Sequence, residues 1–129
     1  MNYLIDTHVL LWYIVGDKRI SKRTQSIIES PTNIIFLSNA SLWEIAIKTS
    51  IGKLKLSGNL IDLKEFLLQK GFKILEFDFD DLQVLQELPH YHHDPFDRLI
   101  IAQAKAKLFR IITYDAQVER YFESNIAGN

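Results

Sequence analysis

No cysteine occurs among the 129 residues. That removes disulfides, thiolate metal centres and cysteine nucleophiles together, and it fits a reducing compartment, so a cytoplasmic location is expected. No apolar run reaches the roughly 18 residues of a membrane-spanning helix, and no membrane partner is expected. The opening "MNYLIDTHVLLWYIVGDK" is apolar, but it lacks a basic start and carries Asp6 inside the run, unlike a secretory leader. Neither sign of charge dominates. The net charge is −1, so no global positive field advertises nucleic-acid binding, although local basic patches remain open. A P-loop, a dinucleotide fingerprint and a Gly-x-Ser-x-Gly nucleophile turn are all missing. No linker, repeat or low-complexity segment breaks the chain.

What is present suits a single domain spanning residues 1–129. Apolar residues make up 47% and charged residues 24%, enough for a substantial core. Short apolar runs alternate with amphipathic ones. "NYLI", "NIIFLS", "FKILEF" and "FRIITYD" read as strands. Between them lie helical segments: "HVLLWYIVG" capped by Thr7, a helix from Ser21, "ASLWEIAIKTSIG" capped by Ser38 or Asn39, "LIDLKEFLLQKG", "DFDDLQVLQEL" and "PFDRLIIAQAKAKL". "AQVERYF" reads as a short helix, and the tail "SNIAGN" carries little signal. Strand–helix alternation of this kind predicts an α/β fold with a parallel sheet covered on both faces.

Most acidic residues have plain structural readings. The acids of "DFDDL" suit a helix cap, and Glu65, Glu87 and Glu119 fall on polar faces. Four acids stand apart. Asp6 follows the first strand directly, at the sheet edge where open parallel sheets bind ligands; the alternative is an N-cap. Glu44 sits in the apolar helix "SLWEIAIK". Asp97 lies in the first turn of its helix, on the side of Ile100 and Ile101. Asp115 ends "IITYD", with Thr113 pointing the same way if the strand persists; here too a cap or turn is the alternative. Asp94 differs, because Pro95 follows it and favours the first helical position. It reads as the helix cap, with Arg98 as an i+4 partner. In a parallel sheet the four acids can gather at one edge. Their repulsion would be relieved by a hard divalent cation, Mg²⁺ or Mn²⁺, which also binds phosphate oxygens. Such an assembly suits metal-dependent phosphodiester hydrolysis.

At this point the chain resembles PIN-domain ribonucleases of the VapC toxin type. The resemblance is carried by "YLIDTHVLLWYI", "SNASLWEIAIKTSIGKL", "HHDPFDRLIIAQA" and "IITYDAQ", in that order, from about residue 3 to about residue 118. It implies a three-layer α/β/α sandwich with a central parallel sheet and cleavage of single-stranded RNA under Mg²⁺ or Mn²⁺. On it, Asp6, Glu44 and Asp97 fall at the core acidic positions and Asp115 at a more variable fourth. Thr7 and Thr113 fall where residues support the acids or bound water. A small antitoxin partner and a homodimer are also implied.

The histidines His90, His92 and His93 lie outside that pattern. Two are adjacent and point different ways, in a loop after Pro89, so they read as a surface loop with no assigned ligand role. Basic residues occur in groups, and RNA binding through them would be salt-dependent. Arg98 and Lys48 are the candidate RNA contacts nearest the acids. Trp12, Tyr13 and Phe66 could line a partner groove as well as core. Other readings stay open: a structure-specific DNA nuclease, a non-catalytic RNA-binding relative, or a phospho-acceptor module. The last needs an acidic pair after the first strand and an acceptor Asp after a middle one, but "IDTH" offers one acid and "IFLSNA" none.

Overall fold

The computed structural model describes residues 1–122 and 126–127. Among the described residues five strands form one parallel sheet: β1 (Asn2–Ile5), β2 (Ile34–Ser38), β3 (Lys73–Leu75), β4 (Arg110–Ile112) and β5 (Ile126–Ala127), in the order β3-β2-β1-β4-β5. The helices are α1 (Thr7–Ile14), α2 (Lys22–Glu29), α3 (Asn39–Ser50), α4 (Leu60–Gln69), α5 (Phe79–Glu87), α6 (Pro95–Lys107) and α7 (Ala116–Glu119).

Alternation along the strands divides the core in two. Tyr3, Ile5, Ile35, Leu37 and Ile112 face one side, where they pack with Val9 and Leu10 of α1, Ile28 of α2 and Leu63 and Leu67 of α4. Leu4 and Ile111 face the other, against Leu99, Ile100 and Ile101 of α6 and Val118 of α7. The sheet is thus the middle of three layers, and its strands read as continuous apolar runs because both faces are covered. A buried polar bridge ties the layers near the end of β2. Ser38 Oγ donates to Gln103 Oε1 of α6, and Gln103 Nε2 donates to the Leu75 carbonyl.

The expected elements are present, with instructive shifts. Asp6, not Thr7, caps α1, accepting from the His8 N–H, while Thr7 is the first helical residue. β4 stops at Ile112, so Thr113 and Asp115 do not lie on a continuing strand. The sequence pattern puts Glu119 on a polar face, but its Oε1 is buried without a hydrogen-bond partner among the described residues. The tail supplies an additional strand, β5, paired with β4 at Ile111 and Ile112; the rest of "SNIAGN" lies outside the described residues.

Asp94 caps α6 as expected, accepting from the Asp97 N–H at 2.9 Å with Pro95 at the first helical position. Arg98, however, forms no ion pair with Asp94 among the described residues. Its guanidinium donates to the carbonyls of Pro89 and His92 at 3.0 and 3.1 Å. We predict that Asp94→Ala is less stable than Asp94→Asn by about 0.5–2 kcal/mol, since both remove the charge and only Asn keeps a cap acceptor. Equal urea midpoints for the two variants would refute the cap's contribution.

Candidate active site

The topology fixes where the acids go. β1 is central, and its carboxyl end is continued by a hydrogen bond from Asp6 N to the Ile112 carbonyl of β4. Asp6 therefore sits beside the end of β4 at the carboxyl edge of the sheet. Its side chain is buried (5% exposed for the residue) and held at both oxygens. Oδ1 accepts from His8 N at 3.2 Å, and Oδ2 accepts from Thr113 Oγ1 at 2.7 Å. Burial pushes the Asp6 pKa up, and the Thr113 and His8 hydrogen bonds oppose that rise.

Thr113 also accepts from the Asp115 N–H at 3.1 Å. Asp115 then caps α7, with Oδ1 accepting from Gln117 N at 2.8 Å and Val118 N at 3.3 Å. Thr113 thus braces Asp6 and the Asp115 backbone together. Thr7 works differently. Its hydroxyl lies 2.7 Å from Ser41 Oγ, joining the start of α1 to the first turn of α3, and it makes no hydrogen bond to an acid among the described residues. Ser41 had no sequence signal beyond being a small polar residue in an apolar helix.

Glu44 is carried into the same region by α3 and is buried. Its Oε2 accepts from Lys48 Nζ at 2.6 Å, one helical turn on. Its Oε1 is buried and has no hydrogen-bond partner among the described residues. Lys48, expected as an RNA contact, is therefore engaged with Glu44.

Asp97 shows how close the acids come. Its pKa is raised to about 8, first by burial and then by the charges of Asp6, Asp94, Glu44 and Asp115. So the structure brings together all four acids singled out in the sequence, from β1, α3, α6 and the β4–α7 turn. It also brings in a residue the sequence reading set aside. His92 Nε2 lies 3.0 Å from Asp97 Oδ2 and 3.5 Å from Asp115 Oδ2, and one ligand atom from each of the three falls within 4.8 Å of the others. The histidine loop is thus at the site, not merely near it. No local pattern in "HYHHDPFDR" marks which histidine turns inward.

The donor set suits a hard divalent cation. It is dominated by carboxylate oxygens, one buried oxygen of Glu44 has no hydrogen-bond partner among the described residues, and burial with neighbouring negative charge leaves Asp97 reluctant to ionise. Asp6, Glu44 and Asp97, with Asp115, are the residues that would hold it.

A three-layer α/β/α fold with carboxylates converging at its sheet edge defines a class of α/β protein whose donor set suits a hard cation. More particularly, the chain belongs to the PIN domain family, whose model matches residues 3–123; members are typically metal-dependent nucleases. Among solved structures it is similar to VapBC2 from Rickettsia felis bound to a DNA fragment from their promoter. That match has 20% identity and a TM-score of 0.70, over 98% of this chain and 96% of that one. It is also similar to FitAcB from Neisseria gonorrhoeae, at 21% identity and a TM-score of 0.61, over 97% and 94% of the two chains. At these identities the likeness shows the fold. No curated protein matches the chain.

The Asp97 environment gives a signed pH prediction. Between the ordinary carboxylate value and about 8, the folded, metal-free chain keeps a proton on Asp97 that the unfolded chain has released. Stability from this group is therefore greatest below that window and falls as pH rises to about 8. Asp97→Asn should raise the melting temperature in EDTA at pH 7.5, and the gain should shrink toward pH 4.5. A gain independent of pH, or a loss at pH 7.5, would contradict this picture.

Proposed function

We propose that this protein is a Mg²⁺- or Mn²⁺-dependent endoribonuclease acting as the toxin of a toxin–antitoxin pair. The observation that carries the reading is the acid cluster: Asp97, Asp115 and His92 bring ligand atoms within 4.8 Å of one another, and burial together with the charges of Asp6, Asp94, Glu44 and Asp115 raises the Asp97 pKa. PIN family membership and the likeness to VapBC2 and FitAcB support it.

In this reading Asp6, Glu44 and Asp97 bind the cation, and Asp115 binds or orients a second cation or a water. A bound divalent cation supplies charge neutralisation at phosphate oxygens and lowers the pKa of water. The chain's own residues do the positioning. Thr113 fixes Asp6 and the Asp115 backbone. Lys48 neutralises one oxygen of Glu44 and leaves the other available. Water is the nucleophile, and the RNA phosphodiester bond breaks by in-line displacement.

The antitoxin is assigned to the groove between α1, α4 and residues 54–59. It has a volume of about 410 Å³ and is lined by Trp12, Leu56 and Phe66, with His8 also on its wall. His8 is next to Asp6, so a partner seated there would reach the acid edge. Tyr13 instead lines a neighbouring cleft with Phe66. A homodimer is assigned to the exposed apolar residues Trp43, Ile47 and Ile61 on α3 and α4. No described helix is long and apolar enough to cross a membrane; we assign the protein to the cytoplasm.

The test is Asp6→Asn, purified free of other nucleases and assayed on RNA and DNA of matched sequence with Mg²⁺ and Mn²⁺. RNA cleavage should fall to background while circular dichroism stays native. Undiminished cleavage by the folded variant would sink the assignment, and cleavage of DNA alone would turn it to a DNA nuclease.

A further inference from the structure

His92 is held more firmly than a surface-loop histidine needs to be. Its backbone N–H donates to Tyr121 Oη at 3.1 Å, and its carbonyl accepts from Arg98 Nη1 at 3.1 Å. Tyr121 Oη also accepts from the Tyr91 N–H and donates to the Pro89 carbonyl. Arg98 donates to that same carbonyl. The ring is fixed as well, since Nδ1 accepts from the Asp94 N–H at 3.1 Å. The helix cap residue thus orients the histidine through its backbone while its carboxylate caps α6.

That last bond decides what the ring offers to the acids. An imidazole whose Nδ1 lone pair accepts a hydrogen bond carries its proton on Nε2. Nε2 is the nitrogen 3.0 Å from Asp97 Oδ2 and 3.5 Å from Asp115 Oδ2. Binding a cation through Nε2 would require the proton on Nδ1, where it would face the Asp94 N–H. The ring is therefore built to donate, although it sits among groups that resemble a mixed nitrogen–oxygen metal site.

We propose that His92 is a positioning residue. Its Nε2–H group holds the Asp97 carboxylate, with Asp115 in reach, so that these acids present oxygen atoms to one cation while the ring contributes no ligand. This rests on the proposed metal-dependent reading of the site.

The test compares two amides at position 92 in the full-length protein. Gln places an amide N–H near Nε2. Asn can accept from the Asp94 N–H as Nδ1 does, but it does not reach the acids. Mg²⁺ and Mn²⁺ affinities are measured by calorimetry on EDTA-stripped protein, with melting curves as the fold check. His92→Gln should stay within about threefold of the unsubstituted protein, whereas His92→Asn should bind about tenfold or more weakly while melting normally. Unchanged affinity in His92→Asn would make the histidine a loop anchor only and overturn the proposal. So would an equal loss in both variants, which would point to the ring nitrogen as a ligand, with a reduced preference for Mn²⁺ over Mg²⁺. If the unsubstituted protein binds neither ion, this inference and the metal-dependent reading fall together. If the variants behave as expected but no RNA is cut, the positioning role stands and only the nuclease assignment fails.

Discussion

Mutual repulsion among carboxylates at the carboxyl edge of β1 and β4 is the constraint that the surrounding structure answers. Each acid has a different relief. Asp6 has the Thr113 hydroxyl and the His8 amide. Glu44 has the Lys48 ammonium. Asp115 has two backbone amides of α7 and partial exposure. Asp97 has the least: its own amide serves Asp94, and among the described residues its carboxylate is paired only with His92. Burial first, and then the neighbouring charges that are left unrelieved there, push the Asp97 pKa to about 8. In the positioning role proposed for His92, its Nε2 donor would hold the Asp97 carboxylate, from which it lies 3.0 Å.

Much of this was legible in the sequence because it depends on local rules. Strands with both faces covered are apolar throughout, so "NYLI" and "NIIFLS" stand out between helical runs. In a parallel sheet the residue after each strand lies on the binding edge, which marks Asp6 directly. Asp94 before Pro95 announces a helix start, and Asp97 then falls one turn in. These inferences need only spacing, and the structure places each residue where spacing put it.

What the sequence did not show depends on distant contacts. Arg98 looked like a partner for Asp94 because four residues separate them on one helix face. The folded chain instead offers it the carbonyls of Pro89 and His92. Tyr121 reaches the same loop across some thirty residues, to Pro89, Tyr91 and His92. No periodicity encodes that convergence, so the inward turn of His92 had no sequence signature. β5 was missed because a two-residue strand is too short to show alternation, and its place is given only by its pairing with β4.

For Asp6 and Asp115, capping a helix does not exclude the site role proposed for them. A carboxylate has two oxygens, and Asp115 divides them: Oδ1 takes the α7 amides, and Oδ2 lies toward His92. Asp6 does the same with the α1 amide on Oδ1 and Thr113 on Oδ2. Backbone amides cannot rotate away as a flexible side-chain donor can, so capping fixes the plane of each carboxylate before any cation arrives. Asp94 shows the contrast. Its Oδ1 caps α6, but that cap lies a turn outside Asp97, and the residue acts on the site through its backbone N–H to His92. Helix starts at the carboxyl edge of the sheet thus place one residue type where it caps a helix and is also a candidate ligand. That is why acids so readily explained as caps are also the ones gathered around the candidate site.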